Sequence, residues 1–329
     1  MKNSVFPILI FLILAGFFLF SFFEIENVLY FENLWTPPEK SEISVLSVGD
    51  IMFDRGVKKR MDKGVDPFHF FEELKFSFRP NINFLTANLE GPITNASLCQ
   101  KKAYSFKFST TTAELLAKVG MDGVSISNNH YFDCFGKGES DTKKYLSLAG
   151  VGFFGGSASS SAYSIQEYGG KKIGFLGIDE SIRKMDKKKI AEFMKKLKGE
   201  ADFAVVNIHW GEEYNPSFTK SQQESGHFLI DNGADVIIGH HPHVVEPVEI
   251  YKNKPVFYSL GNFIFDQIGE KQNEGIAVGM IFGEKENFFH VIPYKITNSQ
   301  PRILPEEERL KFCKNFLKNI HSAEKCNFK

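Results

Sequence analysis

Net charge is nearly absent from this chain. Its 39 Lys and Arg stand against 40 Asp and Glu, a formal balance of -1 over 329 residues. That balance leaves no basic footprint of the kind a nucleic-acid-binding surface needs, so no nucleic-acid partner is expected. Cysteine is also scarce, at four residues, Cys99, Cys134, Cys313 and Cys326, and their spacings fit neither a zinc knuckle nor a thioredoxin motif. They are compatible with an oxidising compartment, and a pairing of Cys313 with Cys326 across the tail is one arrangement they allow. No internal repeat is present. The one small-residue run, "GGSASSSAY" from Gly155 to Tyr163, lacks the lysine of a phosphate-binding loop and reads as a flexible surface loop.

Phenylalanine, by contrast, is abundant at 35 residues, several of them in the first 31. "VFPILIFLILAGFFLFSFF", Val5 to Phe23, has no charged residue, and at ~1.5 Å per helical residue it matches the hydrocarbon core of a bilayer. No small-x-small cleavage site follows it, and no lipobox-like cysteine lies near it. The expectation is therefore a retained signal anchor over residues 1–23, with secretion the outcome if the segment is cleaved. Lys2 precedes the span, whereas Glu24, Glu26 and Glu32 follow it before the first lysine at Lys40. The positive-inside rule then puts the rest of the chain outside the cytoplasm. Residues 24–42, with Pro37-Pro38, read as a stalk.

Apolar, β-branched-rich runs recur from Ile43 onward: "ISVLSV", "INFLTA", "GVSIS", "IGFLGI", "FAVVNI", "DVIIG" and "VFYSL". Runs of this length suit strands buried on both faces. Amphipathic stretches lie between them, among them "TAELLAKVG", "DTKKYLSLAG", "KIAEFMKKLKG" and "SQQESGHFLIDNG", and all four end on Gly. The alternation predicts an α/β domain with a mainly parallel sheet over residues 43–296, followed by a C-terminal helix and tail over 297–329.

Six of those runs discharge polar residues at the same end. They deliver Gly49-Asp50, Asn88-Leu89-Glu90, Asn128-Asn129-His130, His209-Trp210, His240-His241-Pro242-His243 and Gly261-Asn262. In a parallel α/β sheet these ends meet in one crevice, where ligands bind. Imidazole, carboxylate and amide oxygen together, without thiolate, suit one or two divalent ions such as Mn, Zn or Fe. A pair of ions roughly 4 Å apart can clamp the oxygens of a phosphoryl group. Taken singly, each of these residues has an ordinary structural role, a helix cap for Asp50 or a turn for Asn128-Asn129. Arg55 is suited either to holding an anionic substrate bidentately or to pairing with a carboxylate. His69, His227, His290 and His321 have no such setting and are read as structural or surface residues.

The pieces "GDIMFDR", "NLEGPIT", "SNNHYFD", "HWGEEY", "LIDNGADVIIGHHPHVVEPVEIY" and "YSLGNFIFDQ", spanning Gly49 to Gln267, resemble the CapA family of poly-γ-glutamate capsule synthesis proteins. The resemblance implies a calcineurin-like metallophosphoesterase fold, a four-layer αββα sandwich with metal at the strand ends. It implies Asp50, Glu90, Asn129, His209, His241 and His243 as metal ligands, with His130 as the acid that protonates a leaving group, a role suited to imidazole. His240, Arg55 and Asn262 are further candidates for metal or substrate, and the pair 240 and 243 competes with 241 and 243. The wider superfamily's Asp-x-His opening is here Asp50-Ile51-Met52, which removes one ligand.

Two functions follow from the resemblance. One is a membrane-anchored, extracytoplasmic hydrolase of a phosphoester or a γ-glutamyl amide, working in capsule or envelope polymer biosynthesis. The other is a non-catalytic subunit that binds metal and anionic polymer and assists capsule synthase subunits.

Overall fold

The computed structural model describes residues 42–71, 82–156, 162–321, 323 and 325–329. The expected anchor and all but the last residue of the expected stalk lie outside the described residues, as does the centre of the Gly155–Tyr163 loop. Among the described residues, no helix is long and apolar enough to cross a membrane.

In chain order the strands are β1 (Ile43–Ile51), β2 (Phe84–Leu89), β3 (Gly123–Ser125), β4 (Gly152–Phe154), β5 (Tyr163–Tyr168), β6 (Lys171–Asp179), β7 (Phe203–His209) and β8 (Val236–His240). They continue with β9 (Val245–Tyr251), β10 (Lys254–Leu260), β11 (Asn262–Ile264), β12 (Glu274–Phe282), β13 (Asn287–Thr297), β14 (Gln300–Ile303) and β15 (Asn327–Phe328). The helices are α1 (Arg55–Met61), α2 (Thr112–Lys118), α3 (Phe135–Ala149), α4 (Lys187–Glu200), α5 (Lys220–Asp231) and α6 (Glu306–Phe316).

Two sheets form. The first runs β14-β13-β12-β1-β2-β3-β4, with β11 beside β1 and β15 beside β13; the second runs β5-β6-β7-β8-β10-β9. Their apolar runs divide by the period of two that a strand imposes. In the second sheet Phe175, Val205, Ile238 and Phe257 face the first sheet. Their neighbours Leu176, Val206, Ile237 and Tyr258 pack outward with Met194 and Leu197 of α4 and Leu229 of α5. In the first sheet Val45, Phe84, Val278 and Met280 face inward. Leu46, Leu85, Ala277 and Ile281 join the outer layer with Val57 of α1, Leu116 of α2 and Leu146 of α3. Three apolar layers between four layers of elements make an αββα sandwich, as expected. Each fully buried side chain of this size contributes roughly 1.5–3 kcal/mol, so Phe175→Ala, which opens the inter-sheet layer, is a change of about 3–5 kcal/mol.

A mainly parallel sheet holds only for part of the molecule. The strands β6, β7, β8 and β10 are parallel, and so are β1 to β4, but β12, β13 and β14 add an antiparallel meander to the first sheet. The segment from 297 onward, expected as a helix and tail, belongs to this unit: β14 and β15 both pair with β13, and Cys313 is disulfide-bonded to Cys326. A second disulfide joins Cys99 to Cys134.

Candidate metal centre

All six polar-ended strands terminate at one edge between the sheets. Two glycines explain how their backbones come so close. A Cβ on Gly49 would lie 2.0 Å from Gly261 O, and one on Gly239 would lie 1.9 Å from Tyr258 O. Each glycine therefore lets a neighbouring strand close in directly before a site residue, Asp50 or His240. Asp50 N donates to Gly261 O at 3.1 Å and Glu90 N to Ile51 O at 2.9 Å, which fixes both carboxylates at the ends of β1 and β2.

Asp50, Glu90 and His243 form the first cluster. One donor atom from each lies within 4.8 Å of the other two, and all three residues are buried. His243 Nε2 stands 3.4 Å from Glu90 Oε1, and His243 Nδ1 stands 3.4 Å from Asp50 Oδ2 and 2.9 Å from Asn262 Oδ1. Asn262 thus orients the imidazole. Neither oxygen of Glu90 has a hydrogen-bond donor. Burial pushes the Glu90 carboxyl well above its ordinary range. Burial would raise Asp50 as well, but the imidazoles of His240 and His243 outweigh it and hold Asp50 well below the carboxylate range. For His243, burial is overcome by the charge of Glu90 and then Asp50, which raises the imidazole to about 9.

Asn129, His209 and His241 form the second cluster. His209 Nε2 lies 3.0 Å from Asn129 Oδ1 and 3.1 Å from His241 Nδ1. Burial and the neighbouring His241 hold His209 well below its ordinary value, while burial and His243 take His241 down to about 4. Two left-handed residues, His241 (φ 98°) and His243 (φ 56°), turn the chain after β8 so that alternate imidazoles enter different clusters. His240 ends β8 with Nδ1 3.1 Å from Asp50 Oδ1, outside hydrogen-bond geometry, and neither of its ring nitrogens has a hydrogen-bond partner. All three histidines are therefore at the site, 240 and 243 against Asp50 and 241 against His209.

An amide network that sequence reading did not assign ties the clusters together. Asn88 Nδ2 donates to Asp50 Oδ1 at 2.9 Å, and Asn128 Nδ2 donates to Asn88 Oδ1 at 3.0 Å and to Leu89 O at 2.9 Å. Asp133 was likewise missed. Its Oδ2 lies 2.8 Å from His130 Nδ1 and accepts from Phe106 N at 2.7 Å, and Lys102 Nζ is 2.5 Å from its Oδ1. The spacing His130-x-x-Asp133, one turn apart, was the available signal. With Nδ1 held, His130 Nε2 sits 4.0 Å from Glu90 Oε1. Burial lowers the His130 imidazole from its ordinary value, partly opposed by Asp133.

A cleft open to solvent reaches these residues between Arg55, Tyr104, Phe106, Glu213, Tyr214 and Gln267. Arg55 has the left-handed φ of 49° at the start of α1, a conformation costly for a side chain of this size and held by its surroundings. Asp54 Oδ1 accepts from Arg55 N at 2.7 Å, and Asp266 binds both the Arg55 guanidinium and Gly56 N. The guanidinium carbon stands 4.9 Å from the ring centre of Phe106 and 5.5 Å from that of Tyr104. The Asp50-x-Met52 departure is visible too: Met52 is buried, its sulfur accepting from Asp54 N at 3.0 Å.

Compared with known proteins, residues 44–267 match the family described as "Bacterial capsule synthesis protein PGA_cap". The chain belongs to this family. It is similar to the capsule biosynthesis protein CapA of Bacillus anthracis, 29% identical over 293 residues, covering 80% of this chain and 70% of that protein. It is similar also to the PGA biosynthesis protein CapA of Bacillus subtilis strain 168, 31% identical over 271 residues, covering 73% and 70%. Among solved structures, a hypothetical protein from Thermus thermophilus shares the fold, with a TM-score of 0.51 at 16% identity, over 80% of this chain and 100% of that one. The PGA_cap match ends at Gln267, so β12 to β15 and α6 complete the first sheet beyond the matched segment.

Proposed function

We propose that this chain is a metal-dependent hydrolase of capsule polymer biosynthesis, cleaving a phosphoester or a γ-glutamyl amide. We place it on the outer face of the bacterial cytoplasmic membrane, held by its N-terminal segment and working beside capsule synthase subunits. One observation carries the metal reading: Glu90 is a fully buried carboxylate with no hydrogen-bond donor, beside Asp50 and His243. An unpaired buried charge is strongly unfavourable, and a divalent cation is the partner this donor set fits. Both cysteine pairs are closed as disulfides, so carboxylate, amide and imidazole are the ligands on offer, a set suited to Mn, Zn or Fe. Asp50, Glu90 and His243 would hold one ion and Asn129, His209 and His241 a second, with His240 steadying Asp50.

A bound divalent ion supplies Lewis acidity and lowers the pKa of water. The chain's own residues do the rest. Asp133 accepts from His130 Nδ1 and favours, against burial, the doubly protonated imidazole, the form whose Nε2 gives a proton to the leaving group. Phe106, stacked 4.2 Å from the His130 ring, keeps water off that imidazole. Arg55 receives a substrate oxygen with a guanidinium already fixed in place.

The test is metal content and turnover of the full-length chain. Wild type should purify with Mn, Zn or Fe bound and turn over a phosphodiester, a phosphomonoester or a γ-glutamyl anilide, and His130→Ala should keep the metal and lose the turnover. A wild type that binds no metal, or a His130→Ala variant as active as wild type, overturns the proposal. Metal bound without turnover of any of the three would point instead to the non-catalytic accessory role.

A further inference from the structure

The cleft carries one charged side chain of each sign, on different walls. Arg55 forms one wall, oriented by Asp266 and by the rings of Phe106 and Tyr104; its Nε is buried and has no partner in the protein. Glu213 lines the same cleft from the turn after β7, and its carboxylate is exposed. That turn is built rather than loose. Tyr214, at a left-handed φ of 66°, donates its N–H to Pro242 O at 2.8 Å. Gln267 Nε2 donates to Tyr214 Oη at 3.2 Å, and Gln267 Oε1 accepts from Asn262 Nδ2 at 2.9 Å. Asn262 in turn contacts His243, so Tyr214, the residue next to Glu213, is tied through hydrogen bonds to the metal centre.

A phosphoester of an uncharged alcohol presents only negative charge and offers Glu213 no partner. A ligand that uses both walls carries a carboxylate and an ammonium a few bonds apart. We propose that the cleft recognises an α-amino-acid head group, its carboxylate on Arg55 and its ammonium on Glu213, with the bond to be cleaved reaching toward His130. This rests on the hydrolase reading and chooses, between its two substrate classes, an amide at the amino-terminal end of a γ-linked chain.

The test is calorimetric binding to the full-length, Mn-loaded chain, which reads the head group whether or not turnover occurs. Three probes are compared: γ-glutamyl-glutamate, glutaryl-glutamate, which lacks the ammonium, and 4-aminobutyryl-glutamate, which lacks the α-carboxylate. Wild type should bind the first about tenfold more tightly than either of the others, the scale of one partly exposed charge-assisted contact. Glu213→Gln, a change at an exposed position, should abolish the preference over glutaryl-glutamate and keep the preference over 4-aminobutyryl-glutamate. Arg55→Lys should weaken the preference over 4-aminobutyryl-glutamate selectively. Equal wild-type affinity for γ-glutamyl-glutamate and glutaryl-glutamate, or no binding of γ-glutamyl-glutamate at millimolar concentration, overturns the inference while leaving a phosphoesterase intact. The expected preferences in a chain that hydrolyses nothing would uphold the head-group site and sink the hydrolase.

Discussion

The two clusters at the strand ends are a few ångströms apart and chemically opposite. Asp50, Glu90 and His243 are charged groups whose protonation is pulled apart by one another: the first held low, the second pushed up by burial, the imidazole raised to about 9. Asn129, His209 and His241 carry no carboxylate, and burial keeps both imidazoles neutral at ordinary pH. The first cluster holds two buried carboxylates whose burial cost a cation relieves, whereas the second offers lone pairs that are already comfortable. Affinity for a divalent ion should therefore come mainly from the first, and the choice among ions from the second.

The most severe way to break this contrast is Glu90→Gln. With the buried charge removed, metal affinity should fall on the order of 1000-fold, because a charged ligand is lost and not merely repositioned. The metal-free protein should gain about 1–3 kcal/mol, since an unsatisfied carboxylate is replaced by a neutral amide. Thermal unfolding with and without chelator checks both: chelation should lower the wild-type melting temperature and leave that of the variant unchanged. A metal-free variant less stable than metal-free wild type would mean that Glu90 has a structural partner after all.

Glu246 provides the control, a buried carboxylate away from the metal ligands. Its Oε1 has no partner and its Oε2 accepts from Gln222 Nε2 at 2.7 Å. Burial pushes it up to about 7 from an ordinary 4.5. The folded state thus holds its proton more tightly than the unfolded state. Its contribution to stability is full below about pH 4.5 and is lost as pH rises through 7, by at most about 3.5 kcal/mol at 1.4 kcal/mol per unit. Urea unfolding at pH 5 and pH 8 should show Glu246→Gln losing less stability than wild type across that interval, with metal content unaltered. If instead Glu246→Gln lowered metal affinity as Glu90→Gln does, the two carboxylates would not differ in kind.

At the border between the clusters, Asp133→Asn should lower kcat about 100-fold with metal content unchanged, by letting His130 turn or change tautomer. The loss should shrink on a substrate with a 4-nitrophenolate leaving group, which departs without a proton. A loss of equal size on both substrates would assign Asp133 a purely structural part.

How much of this contrast could be read from the sequence depended on which interactions were local. Asp50, Glu90, Asn129 and His209 follow their strands directly, and strand ends converge by the logic of the fold, so their meeting was legible. The two-sheet layering came from the family resemblance, while burial of the strands on both faces was legible from apolar pairs such as Val205-Val206. The roles of His240, His241 and His243 were not, since they depend on left-handed turns at His241 and His243 that no residue type there announces. The antiparallel meander of β12 to β14 was hidden because apolar runs alone do not reveal strand direction. Lys102 to Asp133, Cys99 to Cys134 and Arg55 to Asp266 join segments 31, 35 and 211 positions apart in the chain. Such pairings are set by packing, so Glu213 emerged only in three dimensions, whereas Asp133 had a local signal in the His130-x-x-Asp133 spacing.

The smallest expected effect addresses the neutral cluster directly. His209 sits between Asn129 and His241 and receives a third contact, from Asn88 Nδ2 at 3.4 Å to its Nδ1. Replacing it with Gln removes one soft lone pair and no charge, so overall affinity should fall only about tenfold. The loss should be greater for Zn than for Mn, because imidazole is the donor that favours Zn over ions preferring oxygen. Competition titrations of Zn against Mn on wild type and His209→Gln would show it. A uniform loss for both ions would mean that the neutral cluster supplies affinity in the same manner as Glu90, and the division between charge in one half and choice of ion in the other would fail.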